Sequence, residues 1–187
     1  KDLNSWCQVV GGGKYKDIGF YRLLSKFCSE QDVIDFFTQF DRKNSSSRLE
    51  YALMNYKSTN INEMKSLCES ILSLRKHPKN QSAEEVINSI LEHTGALKKY
   101  NKRYTFEDQV ALINSGNFIQ KAQEFSRRNL GENRLRNFNT FIEALMVSGK
   151  ISASFPENRQ SFNAVTVQTV HAVKGGEFPV VSVSYTH

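Results

Sequence analysis

SAEEVINSILEHTG, Ser82 to Gly95, sets the helical character of the chain. Ser82 precedes Glu85 by three residues, the spacing of a capping box in which each side chain takes the other residue's backbone amide. Val86, Ile87, Ile90 and Leu91 then fall on one face of a helix of 3.6-residue period, and Gly95 stands where a helix ends most easily. A helix with one apolar face requires other helices or a sheet to cover it.

The neighbouring segments supply helices. In SEQDVIDFFTQF, Ser29 and Asp32 open a segment whose Val33, Phe36, Phe37 and Phe40 recur at i, i+3, i+4 and i+7. The same spacing returns at Leu49, Ala52, Leu53 and Tyr56, and again at Phe138, Phe141, Ile142 and Leu145. Ile61, Met64, Leu67, Ile71 and Leu74 form a looser stripe. Thr105 and Asp108 open another helix, carrying Val110, Leu112 and Ile113 and running up to Ser115-Gly116, and a further one is expected over Phe118–Arg127.

Two places break the helical pattern. WCQVVGGGKYKD, Trp6 to Asp17, reads as a short strand near Gln8 running into three glycines. VTVQTV and PVVSVSY, near the other end, have β-branched runs of strand length. The expected fold class is therefore mainly α. A helical domain covers about Tyr21–Met146, and a small β-element is formed by strands at the two chain ends, near Gln8 and Thr166–Val170.

Composition narrows the function classes. The chain of 187 residues is long enough for a core of its own. It has no apolar run near the roughly 20 residues that cross a bilayer, and its N-terminus is not a signal peptide. Cys7, Cys28 and Cys68 show neither paired nor zinc-ligand spacing, so reduced thiols in a cytoplasmic protein are expected. His77, His93, His171 and His187 lack metal-ligand spacing, and no nucleophile elbow is present. Around Gly11, Gly12 and Gly13 the phosphate-loop pattern fails, because Gln8 occupies its first glycine position and Tyr15 its hydroxyl position. A net charge of +6 favours polyanionic partners. Basic residues cluster at Lys98, Lys99, Lys102 and Arg103, and at Arg127, Arg128, Arg134 and Arg136.

The densest chemistry lies in TVHAVKGGEF. A strand there would deliver Thr169 and His171 to its end, Lys174 would begin a turn, and Gly175 and Gly176 would let backbone amides approach an anion. Glu177 offers an acceptor suited to a ribose hydroxyl. Residues alone leave this stretch open between such a site and an ordinary strand-turn-strand.

The order Thr169-x-His171-x-x-Lys174-Gly175-x-Glu177-Phe178 resembles motif V of the UvrD/Rep/PcrA-type superfamily 1 DNA helicases. In that family motif V lies in the second RecA-like domain, 2A, directly after a helical insertion, 2B, whose entrance reads as a short strand and a Gly-Gly pair. QVVGG resembles that entrance, SAEEVINSILEHTGALKKY resembles a helix of the insertion, and RNFNTFIEAL resembles the helix ahead of motif V.

The resemblance implies a fragment: residues 1–13 as an edge of 2A, residues 14–160 as a helical 2B-like domain, and residues 161–187 as the returning 2A segment with motif V. It implies that Thr169, His171 and Lys174 face single-stranded DNA, with Lys174 coupling DNA to the nucleotide site, and that Glu177, with Gly175, serves ATP through its ribose. Gly176 replaces the family's leucine, and no duplex-gripping T-P-x-R-G-I-G stretch is present. The intact parent would be an ATP- and Mg2+-dependent 3′ to 5′ helicase or translocase of DNA repair or replication, cytoplasmic and nucleoid-associated. Its partners would be single-stranded DNA, a duplex junction and the remaining helicase domains. The chain alone would have no catalytic residue, bind no cofactor or metal, and hydrolyse no ATP. Two alternatives stand beside this: a non-enzymatic helical module that binds DNA or protein, and part of a helicase-nuclease subunit.

Overall fold

The SWCQVV run, Ser5 to Val10, forms a helix that helices surround. The computed structural model describes residues 2–38, 47–76, 81–96, 105–150 and 180–182. The chain divides into two compact units, Lys1–Pro156 and Glu157–His187. In the second, Val180, Val181 and Ser182 are irregular and exposed. In the first, the described elements are α1 (Asp2–Gly11), α2 (Lys16–Phe27), α3 (Glu30–Thr38), α4 (Arg48–Asn55), a 3-10 turn (Tyr56–Ser58), α5 (Asn62–Leu74), α6 (Ala83–His93), α7 (Phe106–Arg128) and α8 (Arg134–Val147).

The mainly helical expectation holds, and no strand occurs among the described residues. The expected strand near Gln8 is corrected: Gln8 lies inside α1. Five consecutive residues, Ser5 to Val9, are buried, so α1 is covered on every side by α2, α5, α6 and α8. A short apolar run has no periodicity that separates a buried strand from a buried helix. A helix bonds its own backbone internally, whereas a buried strand needs a partner strand. The expected strand over Thr166–Val170 lies outside the described residues.

Three glycines fix how α1 and α2 pack as an antiparallel pair. Gly12 and Gly13 turn the chain with φ of +71° and +145°, in the region that L side chains avoid. On α2, a Cβ at Gly19 would stand 3.0 Å from the Ser5 carbonyl oxygen, so glycine lets the two helices approach closely. Lys26 pairs with Asp2 at the opposite end of the hairpin.

The apolar stripes then close the core. Leu49, Ala52, Leu53 and Tyr56, with Met64, Leu67, Ile71 and Leu74, are buried as their spacing predicts, and so are Val86, Ile87, Ile90 and Leu91 of α6. The Ser82–Glu85 capping box is formed in both directions, and Gly95 follows α6 with φ +63°. One boundary differs. The two helices expected on either side of Ser115-Gly116 are one, α7, capped by the Thr105 hydroxyl on the Asp108 amide at 3.1 Å. An exposed glycine inside a helix costs only about 1 kcal/mol, and packing of Phe118, Ala122 and Phe125 beyond it offsets that.

A charged network ties α1, α2, α4 and α5 together. The Arg75 guanidinium donates to both oxygens of Glu50 at 3.1–3.3 Å and through Nε to the Val9 carbonyl at 2.8 Å, while Lys16 Nζ reaches Glu50 at 3.2 Å. Asp17 of α2 accepts from the Leu49 amide at 3.0 Å and the Ser47 hydroxyl at 2.6 Å, extending the cap of α4. The three thiols are free; Cys7 and Cys68 are buried, and burial, with the neighbouring Cys28 and Glu69, pushes Cys68 up to about 12. No described helix is long and apolar enough to cross a membrane.

Burial raises the Glu50 carboxyl, but hydrogen bonds and charge from Arg75 and then Lys16 outweigh it and hold the group below the ordinary glutamate range. A carboxyl depressed on folding contributes stability above its unfolded pKa of about 4.3 and loses it as pH falls through the lower folded value. Glu50→Gln is therefore expected to lower the melting temperature at pH 7, with the gap from wild type closing below about pH 4. Thermal melts at pH 7, 5 and 3 check this, and a gap that stays constant across them contradicts it.

Candidate nucleic-acid interface

Thr169, His171, Lys174, Gly175 and Glu177 lie outside the described residues, as do Lys98, Lys99, Lys102 and Arg103. Arg127, Arg128, Arg134 and Arg136 are described, at the bend between α7 and α8.

Aromatic packing positions that bend. Phe138 of α8 meets Phe118 and Phe125 of α7 at ring-centroid distances of 5.3 and 5.6 Å, and Phe125 meets Phe141 at 5.3 Å. These rings hold the end of α7 against the start of α8. Residues 129–133 must then reverse the chain within five positions, and side chains bond the carbonyls that this exposes. Asn129 Nδ2 donates to the Phe125 carbonyl at 2.9 Å, closing the end of α7. Arg134 donates to the Gly131 and Leu130 carbonyls, each at 2.9 Å, and Asn137 to that of Glu132 at 3.2 Å. Asn133 takes φ +54°, a left-handed conformation asparagine tolerates, and α8 begins after it.

Arg134 is thus occupied in building the turn. Arg127, Arg128 and Arg136 are exposed and form no side-chain hydrogen bond or ion pair among the described residues. Leu130, 75% exposed, stands in the same loop. The sequence singled out all four arginines and had no means of separating the one that builds the turn from the three that face solvent.

A second polar cluster escaped the sequence reading. Asn139, 1% exposed, donates through Nδ2 to the carbonyls of Cys7 at 2.9 Å and Gly12 at 3.1 Å. Gln8 of α1, also buried, donates to Glu143 of α8 at 2.9 Å. The signal was present: Asn139 falls in register with Leu135, Phe138 and Ile142, a polar residue inside an apolar stripe. Around these groups the glycines serve packing, not phosphate. A Cβ at Gly11 would meet Leu135 at 2.7 Å, and one at Gly13 would meet Gln8 Oε1 at 2.8 Å.

Among the described residues, no group of three His, Cys, Asp or Glu that could hold a metal ion occurs. A cleft of about 490 Å³ lined by Tyr56, Glu69, Leu72, Ser73, Arg75 and Lys76 is open, and its arginine is committed to Glu50 and Val9. What remains is a fixed bend bearing three uncommitted guanidinium groups. Comparison with protein-family models, curated proteins and solved structures finds no match to this chain.

Asn139→Ala removes both buried side-chain bonds to the end of α1 and the packing of a buried side chain, a loss expected to cost about 1–3 kcal/mol. Thr140→Ala, one residue on and exposed, should change stability by no more than about 0.5 kcal/mol. Urea unfolding of the two variants beside wild type makes the comparison. Equal effects would show that the Asn139 bonds do not hold α1.

Proposed function

We propose that the chain belongs to an ATP-driven superfamily 1 DNA helicase or translocase of the UvrD/Rep/PcrA type, to which it supplies the helical insertion and motif V. One observation carries this reading: the ordered set Thr169, His171, Lys174, Gly175, Glu177 and Phe178 at the motif's spacing. A helical unit ahead of that set agrees with an insertion preceding motif V. Under this reading Thr169 and His171 bond the backbone of single-stranded DNA. Lys174 couples that contact to the nucleotide site, and Glu177 accepts from the ATP ribose, with Gly175 allowing close approach.

The chemistry of such a motor also requires a phosphate loop, carboxylates for Mg2+ and water, and arginines at the γ-phosphate. None of these is recognisable in the 187 residues. ATP and Mg2+ are accordingly proposed for the intact parent, with 3′ to 5′ movement, and with a duplex junction and the other helicase domains as partners. A second reading, a helical DNA-binding module without motor chemistry, is favoured by the uncommitted arginines of the α7–α8 bend.

Fluorescence anisotropy with a labelled oligo(dT) tests the motif. His171→Ala combined with Lys174→Ala is expected to weaken binding about tenfold, the loss of roughly one charge-assisted bond, while Glu177→Ala leaves it unchanged. In calorimetry the chain should bind no ATP. Unchanged DNA affinity in the double variant, or stoichiometric ATP binding by the chain alone, would defeat the reading.

A further inference from the structure

We infer that the α7–α8 bend is a second nucleic-acid contact, in which Arg127, Arg128 and Arg136 take backbone phosphates and Leu130 lies against a sugar or base. The inference goes beyond motif V, since it concerns different residues in the helical unit. It stands on how charge is distributed there. The described residues hold fifteen Lys and Arg against sixteen Asp and Glu, a net charge of −1. Within residues 121–136, five cations, Lys121, Arg127, Arg128, Arg134 and Arg136, face two carboxylates, Glu124 and Glu132, a net charge of +3. The rest of the described body is therefore −4. Among the described residues, the bend is therefore where positive charge concentrates.

Internal structure accounts for only part of that concentration. Arg134 is used by the turn, and arginines in the last turn of α7 complement the helix dipole by a few tenths of a kcal/mol. Arg136 gains nothing from a dipole, because it lies in the first turn of α8, where cations are disfavoured and no acid balances it. Nor is Glu124 a partner for the bend; it accepts from Gln120 on its own helix at 3.2 Å. Three exposed guanidinium groups, each a planar fork of donors and none with an acceptor among the described residues, are suited to phosphate oxygens. The bend that carries them is already held by three side-chain bonds to its loop carbonyls and one to the Phe125 carbonyl of α7, so binding orders little backbone. The exposed Leu130 gives the bend an apolar contact that a nucleic acid can use and a purely anionic chain cannot.

The 187-residue chain is titrated into a labelled 30-nucleotide oligo(dT) and a labelled duplex at several salt concentrations. Arg127→Gln/Arg128→Gln/Arg136→Gln is expected to weaken binding of at least one of them tenfold or more at low salt. It should also lower the slope of log affinity against log salt by about 2 to 3, one unit or slightly less for each phosphate that is no longer neutralised. The corresponding triple lysine variant should keep that slope. Melting curves should differ little from wild type, since none of the three side chains forms a hydrogen bond or ion pair among the described residues. If the triple variant melts lower, Arg127→Gln/Arg128→Gln carries the same test with about two thirds of the effect. An unchanged salt slope, no binding of either oligonucleotide, or displacement by poly-glutamate as effectively as by unlabelled DNA would overturn the inference. So would binding to anionic phospholipid vesicles without binding to nucleic acid. The motif V reading is separable: an inert arginine triple beside a weakened His171→Ala/Lys174→Ala variant removes the bend and keeps the motif, and the converse removes the motif and keeps the bend.

Discussion

The helical unit depends on the burial of α1. A helix covered on every side keeps its internal hydrogen bonds out of water, but its last carbonyls have no partner within the helix and none in solvent. Each carbonyl left unbonded there would cost about 1–3 kcal/mol, a large share of the stability of any domain. The fold answers with side chains from two distant elements. Arg75, at the end of α5, donates to Val9, one of those last carbonyls, and Asn139, in the middle of α8, holds the same end of the helix through the Cys7 and Gly12 carbonyls. Those contacts join residues more than sixty positions apart in one case and more than one hundred and twenty in the other. They fix where α5 and α8 meet the first helix.

Much of the remaining geometry follows from that placement. Because Arg75 is turned toward Val9, its guanidinium lies beside Glu50, and Glu50 in turn draws in Lys16. Because Asn139 faces α1, Phe138, its neighbour in sequence, lies where Phe118 and Phe125 of α7 can pack on it. The aromatic contact then sets the α7–α8 bend, and the bend determines which arginines remain in solvent. A polar contact in the interior thus positions a charged feature on the surface.

The helical elements were legible where local chemistry is sufficient. The stripes of α4, α5 and α6, the caps at Ser82 and Thr105, and the turn after Gly95 each rest on neighbours within four residues, and all of them are present. On α8, where Leu145 is only half-buried, Phe141 is the larger exception. Its spacing marks it as core, yet it is 36% exposed and covers the outside of the ring cluster, because Asn139 takes part of the buried face. Position within a stripe specifies a face, and the neighbouring helices decide how much of that face is covered.

By itself the sequence determined the helical class, the caps and most of the buried stripes, since these depend on period and on short-range hydrogen bonding. It also determined the motif order that motivates the proposed function. Only the tertiary structure decided that Ser5–Val10 is helix, because a short apolar run becomes helix or strand according to what surrounds it. Only the tertiary structure placed Asn139 and Gln8 inside, where long-range carbonyls reward a buried amide that local pattern would put in water. It alone distinguished Arg134, bonded into the turn, from Arg127, Arg128 and Arg136 in solvent. That distinction depends on where backbone carbonyls point, a direction no residue type specifies before the chain has folded.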